Sequence, residues 1–222
     1  MPRVAIIDCE LGNLFSVQRA CEFVGLEAKI TNDCEEILDA GGVILPGVGA
    51  FGDAMSNLER LDLVAPLKDY IASGRPFMGV CLGMQLLFTE SEEFGRHKGL
   101  DIIPGHIVRF ESQRTSSRIR KVPQVCWNQI YPSSDGGPAW DKHPLKDVCP
   151  GEYMYFVHSY YSVPTDPSVV LCFTTYGETD YCSGVVRSNV FATQFHPEKS
   201  GPEGVRIYRN WAASLTGDQS VS

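Results

Sequence analysis

The chain has 222 residues, 43% of them hydrophobic and 21% charged, which is the composition of an ordinary folded domain and excludes disorder and fibrous repeats. Nineteen Lys and Arg against 27 Asp and Glu leave a net charge of -8, which opposes a phosphate backbone, so nucleic acid is not an expected partner. No stretch approaches the roughly 18 to 20 apolar residues of a membrane-spanning helix, and residues 1 to 8 lack a basic segment followed by an apolar core, so neither export nor a membrane is expected.

In chain order, Val4 to Ile7 reads as a strand, and Leu14, Val17, Cys21 and Val24 follow at helical spacing until Gly25. A second strand, Ala28 to Thr31, precedes a short helix that starts with Asp33 and Glu36 in the capping-box arrangement. Gly42 to Leu45 is a third strand, a helical stretch runs from about Asp53 to Ser73, and Phe77 to Val80 is a fourth strand before a helical run over Met84 to Thr89. Strand and helix alternating in this way imply a parallel sheet with helices on its faces. Beyond about residue 100, strands are expected over Ile107 to Glu111, Gln124 to Tyr131, Tyr153 to Tyr161, Val169 to Tyr176, Ser183 to Arg187 and Val190 to Phe195. Ser188-Asn189 reads as a two-residue turn, Pro202 to Leu215 as a closing helix, and the basic run Arg114 to Lys121 as a solvated loop. The expected fold is α/β: one domain over 1–222, a three-layer sandwich of flavodoxin-like or Rossmann-like type around a mostly parallel central sheet. The second half forms an antiparallel, β-rich extension, and residues 217–222 are expected to be a disordered tail.

None of the eight cysteines forms a Cys-x-x-Cys pair, and scattered single cysteines suit a reducing cytosol; no metal site or cofactor is expected. One of them stands apart. Gly79-Val80-Cys81-Leu82-Gly83 follows an apolar strand and opens a helical run, the layout of a nucleophile held on a sharp strand-to-helix turn. The glycines have a steric reason, since side chains there would clash with neighbouring chain, and a helix amino terminus favours thiolate over thiol. From the pentapeptide alone, a buried structural Cys beside two glycines fits equally well. A partner base breaks the tie. His196 ends a strand, and Glu198, two residues on and on the same side of an extended chain, can hold its far ring nitrogen. His97, His106 and His143 have no such company and read as structural. A thiolate attacking a carboxamide also needs donors for the oxyanion, and these are expected from the Leu82 amide and from Val48 and Gly49 in the loop Pro46-Gly47-Val48-Gly49.

These residues resemble the class I, or triad, glutamine amidotransferases over essentially the whole chain, with Gly79 to Gln85 as the elbow and His196-Pro197-Glu198 as the remainder. Within that family the sequence is most similar to the glutaminase subunits of imidazole glycerol phosphate synthases. The signals are Gly12-Asn13-Leu14 with Ser16, Pro46 to Phe51, Val122-Pro123 before Trp127-Asn128, Tyr155 to Tyr160, and Gln194 to Ser200. The resemblance implies Cys81 as nucleophile, His196 as general base and acid, and Glu198 as its orienter. It implies Gln85 and Glu93, with backbone near Ser159 and Tyr160, as holders of glutamine, although Glu93 also reads as one of several similar carboxylates at a helix end. It further implies a partner, a (β/α)8-barrel cyclase forming a heterodimer and receiving ammonia, met by Leu11, Asn13, Trp127, Tyr155 and Lys199; Trp127 and Tyr155 read equally well as core. Gln124 and Cys126 depart from the subfamily, which usually shows His and Gly there. A glutaminase serving an amino-sugar amidotransferase, a non-catalytic regulatory module on this fold, and a stand-alone amidase remain as alternatives.

Overall fold

The computed structural model describes residues 1–111, 121–133 and 136–215. The amino-terminal half consists of β1 (Arg3–Ile7), α1 (Leu14–Phe23), β2 (Glu27–Thr31), α2 (Cys34–Asp39), β3 (Gly42–Leu45), α3 (Phe51–Arg60), α4 (Val64–Ala72), β4 (Phe77–Val80) and α5 (Leu82–Leu86). After it come β5 (Phe88–Ser91), β6 (His97–Lys98), β7 (Ile103–Arg109), β8 (Gln124–Pro132), β9 (Glu152–His158) and β10 (Tyr160–Pro164). The chain then returns through β11 (Val170–Tyr176), β12 (Thr179–Arg187) and β13 (Val190–Thr193) to α6 (Gly201–Ser214).

Strands β2, β1, β3, β4 and β13 lie side by side and parallel. The sheet continues antiparallel through β12, β10 and β7, and a branch from β12 carries β11, β8 and β9. Two apolar cores cover the two faces, because successive side chains of a strand point to opposite sides. Val4 and Ile6 of β1 pack with Val17 and Cys21 of α1 and with Ile207, Tyr208 and Trp211 of α6. Ala5 and Ile7 join Ile37 of α2, Leu58 of α3 and Leu67, Tyr70 and Ile71 of α4. Helix, sheet, helix is the expected three-layer order. Among the described residues no helix is long and apolar enough to cross a membrane.

Four expectations change in detail. The stretch from 53 to 73 is two helices, broken where Asp62 takes a φ of 55°. A continuous helix would press the Pro66 ring on the residue 62 carbonyl, whereas the break leaves Pro66 in the first turn of α4, where no N–H is needed. The helix after the elbow stops at Leu86, and Phe88 joins β5 against Ile103 of β7. Asp33 caps α2 by accepting from Glu35 N (2.9 Å) and Glu36 N (3.0 Å), but Glu36 does not reach back to it: its carboxylate takes Lys29 and Thr31 Oγ1, and Thr31 Oγ1 accepts the Asp33 N–H (3.0 Å). The expected strand over 153 to 161 is interrupted at Ser159, whose carbonyl accepts the Phe110 N–H at 3.0 Å. Ser188, at φ 53°, and Asn189 form the expected turn between β12 and β13. The basic run, apart from Lys121, and the 217–222 tail lie outside the described residues.

Candidate active site

Strand β4 ends at Val80, and Cys81 takes φ 55° and ψ -110°, a conformation that few side chains adopt unless their surroundings over-determine it. Here the Cys81 N–H donates to Thr193 O at 2.7 Å, and the Cys81 carbonyl accepts from Met84 N (3.0 Å) and Gln85 N (3.2 Å) to start α5. A Cβ on Gly83 would stand 1.7 Å from the Leu45 carbonyl oxygen, and one on Gly79 would stand 3.0 Å from the Ala192 Cβ. The two glycines are therefore what lets the elbow close against β3 and β13. Cys81 itself is 5% exposed.

The neighbouring strand delivers His196, the expected base. Parallel pairing of β13 with β4, Thr193 opposite Val80, brings the chain past Thr193 out beside Cys81. The His196 N–H donates to Tyr155 O (3.0 Å), and Ser200 Oγ bridges the same two segments by donating to His196 O (2.7 Å) and accepting from Tyr155 N (3.0 Å). Nδ1 of His196 and Oε1 of Glu198 are 2.8 Å apart, with both side chains almost wholly buried. The far nitrogen, Nε2, is buried without a hydrogen bond among the described residues. Burial disfavours charge on this imidazole, but the nearby Cys81 sulfur and then Glu198 outweigh it and raise the pKa to about 10.

A cleft of about 260 Å³ opens at Cys81 and gathers Val48, Gly49, Leu82, Gln85, Glu93, Ser159 and Tyr160 on its walls. The residues singled out for the oxyanion and for glutamine are thus brought to one place. His196 and Glu198 are not on that wall. Gly47 approaches so closely that a Cβ there would lie 3.1 Å from the Leu82 Cβ, and Gly49 has a φ of 116°, so the loop before α3 is pressed on the elbow by residues with little or no side chain. Glu93 is not at a helix end; it sits in the turn after β5, and Oε2 accepts the Phe51 N–H at the start of α3 (2.7 Å). Burial raises its carboxyl pKa, against the Phe51 hydrogen bond. Glu90 is occupied by Arg96 instead.

Two residues here escaped the reading of the sequence. Gln194 donates from Nε2 toward the Cys81 sulfur (3.7 Å) and accepts at Oε1 from Gln85 Nε2 (2.9 Å), which also donates to the Tyr160 carbonyl (3.0 Å). His158 borders the cleft and is buried. Gln194 had a signal, because it alternates with His196; His158 had none beyond its place beside Ser159.

Of the five positions expected to face a partner, Trp127 is 51% exposed and lies edge-on to Tyr155 (centroids 6.1 Å apart), with Lys199 Nζ 5.8 Å from the Tyr155 ring centre. Tyr155 in turn lies 6.3 Å from the His196 ring. These aromatics form an outer surface, so the core alternative is set aside. Leu11 is within reach of Gly49, and Asn13 accepts from Ser16 Oγ (2.8 Å) at the start of α1. Gln124 is buried and Cys126 half-buried on the opposite face of β8 from Trp127. Burial raises the Cys126 pKa, with Gln124 opposing.

The sequence pattern of the family Glutamine amidotransferase class-I matches residues 5–215. Curated relatives named imidazole glycerol phosphate synthase subunit HisH include those of Geobacter metallireducens, 48% identical over 96% of this chain and 99% of that one, and Syntrophotalea carbinolica, 50% identical over 94% and 98%. Among solved structures, PurLQS of Thermotoga maritima superposes with a TM-score of 0.70 at 18% identity, covering 96% of this chain and 99% of that one. The glutaminase domain of Trypanosoma brucei CTPS gives 0.65 at 15% identity, covering 100% and 96%; likenesses this distant speak to the fold alone. The chain belongs to the class I glutamine amidotransferases, and its curated relatives place it with the HisH subunits of imidazole glycerol phosphate synthase.

Proposed function

We propose that this protein is the glutaminase subunit of a cytoplasmic imidazole glycerol phosphate synthase in histidine biosynthesis, working as a heterodimer with a (β/α)8 cyclase. The cyclase uses the ammonia released here, together with its own ribotide substrate, to form imidazole glycerol phosphate and the aminoimidazole carboxamide ribotide. The observation that carries the reading is Cys81 on its strained elbow beside the buried His196–Glu198 pair, at the mouth of a cleft large enough for an amino acid. The Cys81 sulfur attacks the side-chain carboxamide carbon of glutamine, the proton held by His196 passes to the amide nitrogen, and ammonia leaves to give a thioester. Water then loses a proton to His196 and attacks the thioester carbon, which releases glutamate and returns the sulfur. Amides of Leu82 and of the Val48–Gly49 loop take the developing oxyanion. Glu93 receives the α-ammonium, and the backbone at Ser159 and Tyr160 holds the rest of the head group. Leu11, Asn13, Trp127, Tyr155 and Lys199 meet the cyclase.

Cys81→Ala in the complex tests this directly. Glutamine-dependent synthesis is expected to vanish while synthesis from added ammonium salt by the cyclase stays within about twofold. Equal loss of both activities would assign Cys81 to folding or docking and not to bond making.

A further inference from the structure

Behind the cleft wall, three buried side chains lie end to end. His158 Nδ1 is 2.8 Å from the Tyr160 carbonyl oxygen, His158 Nε2 is 3.2 Å from the Tyr181 hydroxyl, and that hydroxyl is 3.1 Å from an amide atom of Gln124. All three are buried. The proton count fixes the direction of the chain. A carbonyl oxygen only accepts, so Nδ1 must carry the His158 proton. Phe110, Phe156 and Tyr181 ring the imidazole, and its burial keeps it neutral. Neutral His158 therefore presents Nε2 as an acceptor, and Tyr181 must donate to it. Thr174, also next to the phenol, gives its proton to Ser183 Oγ at 2.9 Å. A phenol has one proton. If it goes to His158, Tyr181 cannot also donate to Gln124, so Gln124 must offer its amino group to the phenol oxygen. With the amide placed the other way, the buried Gln124 Nε2 has no hydrogen bond to oxygen or nitrogen and only the weak Cys126 thiol near it, whereas exchanging the two ends gives it the phenol oxygen.

We infer that Gln124, Tyr181 and His158 form a one-way hydrogen-bond relay, Gln124 to Tyr181 to His158 to the Tyr160 carbonyl, which positions the Ser159–Tyr160 turn of the cleft for glutamine. The inference rests on the function proposed above. Gln85 holds the same carbonyl from the other side, so the turn is clamped between the elbow helix and the relay. Donors and acceptors that follow one direction polarise one another, and a buried relay broken at any link leaves a costly orphan. These are positioning residues. None touches the reacting carboxamide, and their loss should appear in how well substrate is held more than in how fast it reacts. The relay also accounts for the departure at position 124, since a histidine there can donate to Tyr181 as glutamine does.

The test joins ring-nitrogen NMR of the intact chain with glutamine kinetics in the complex with the cyclase. His158 is expected as the Nδ1–H tautomer with Nε2 accepting. Tyr181→Phe and Gln124→Met, the second of which has no proton to donate, are each expected to raise KM for glutamine about tenfold with kcat within about threefold, and Gln124→His to restore KM. A proton found on Nε2 of His158, or Gln124→Met binding glutamine as well as the unmodified chain, would overturn the relay, as would variants that shift the melting temperature and leave KM alone. Should Tyr181→Phe fail to fold, the tautomer and the Gln124 pair still decide. An unmodified complex with no glutaminase activity would count against the function, and the tautomer of His158 judges the relay independently.

Discussion

Two histidines near Cys81 are driven in opposite directions by their surroundings. His196, paired with Glu198 and facing sulfur, holds its proton far above the ordinary range; His158, shut among aromatic rings, has its pKa pushed down to about 4, mainly by burial and with His196 adding to the effect. The second shift has a stability consequence whose sign is fixed by linkage. Unfolded, His158 titrates near its ordinary 6.5; folded, it stays neutral down to about 4. Its contribution is thus complete above about 6.5 and is lost as pH falls toward 4, because in that window the unfolded chain binds the extra proton. Urea unfolding between pH 7 and 4 should show a decline of at most about 3 kcal/mol from this group, absent in His158→Gln after the variant's own baseline is taken. A midpoint that rises on acidification by the His158-dependent amount would reverse the assignment. Glu198→Gln should lower kcat for glutamine by about a hundredfold or more with a smaller change in KM, since it removes the charge that holds the base and no substrate contact. Equal losses in KM and kcat would place Glu198 against substrate. Cys81, His196 and Glu198 were legible in the sequence because each carries a local pattern: glycines about an elbow, and residues two apart at a strand end. Tyr181 and Gln124 were not, because their meaning comes from strands β12 and β8 meeting across 57 positions of chain.

Helix α6 is set against the His196–Glu198 segment by a glycine. A Cβ at Gly204 would stand 1.9 Å from the Pro197 carbonyl oxygen, a contact that no side-chain rotation can relieve. Gly201, a turn earlier, has open space about it but a φ of 65°. Gly204→Ala should therefore lever α6 away from residues 197–199 and cost several kcal/mol, within the range of overpacked cores, with glutaminase activity falling more steeply than the folded fraction. Gly201→Ala, which meets only backbone strain, should cost about 1 kcal/mol and leave activity per folded molecule unchanged. Comparable activity per folded molecule in both would show that α6 does not set the His196 segment. The elements themselves were mostly readable, since apolar runs of four or five residues alternating with helical spacing leave little choice in the parallel half. What the pattern missed were interruptions imposed by tertiary contacts: the break at Asp62 that accommodates Pro66, the early end of α5 where Phe88 is drawn into β5, and the gap at Ser159. That gap lies on the cleft. The interruption turns the Ser159–Tyr160 backbone onto the cleft wall, where Phe110 N, Gln85 and His158 hold its two carbonyls.

The surface around the cleft carries more exposed apolar side chain than an isolated protein needs. Val125 and Trp127 of β8 and Tyr153 of β9 are each at least half exposed, and with Tyr155 they cover the outer face of this pair, where Trp127 stands opposite Tyr155 and Val125 opposite Val157. An exposed aromatic anchor is what protein interfaces enrich, and this one, with Lys199 beside it, abuts His196 through Tyr155. Alternation along β8 separates the two neighbours in sequence: Trp127 points outward, while Cys126 faces inward on the side of Gln124. The extra volume of Cys126 is thus absorbed within the chain, and no compensating change on the cyclase is required. Trp127→Ala should weaken association with the cyclase by about thirtyfold or more, as for a central aromatic hot spot. Its melting temperature should hardly move, because a side chain already half in water loses little on removal. Cys126→Gly should do the reverse, leaving the affinity for the cyclase within about twofold and lowering stability by removing half-buried packing from the inner face. Titration calorimetry with the cyclase and thermal unfolding of each variant separate the cases, and a Cys126→Gly protein that binds the cyclase as poorly as Trp127→Ala would place both residues on one surface and contradict the alternation.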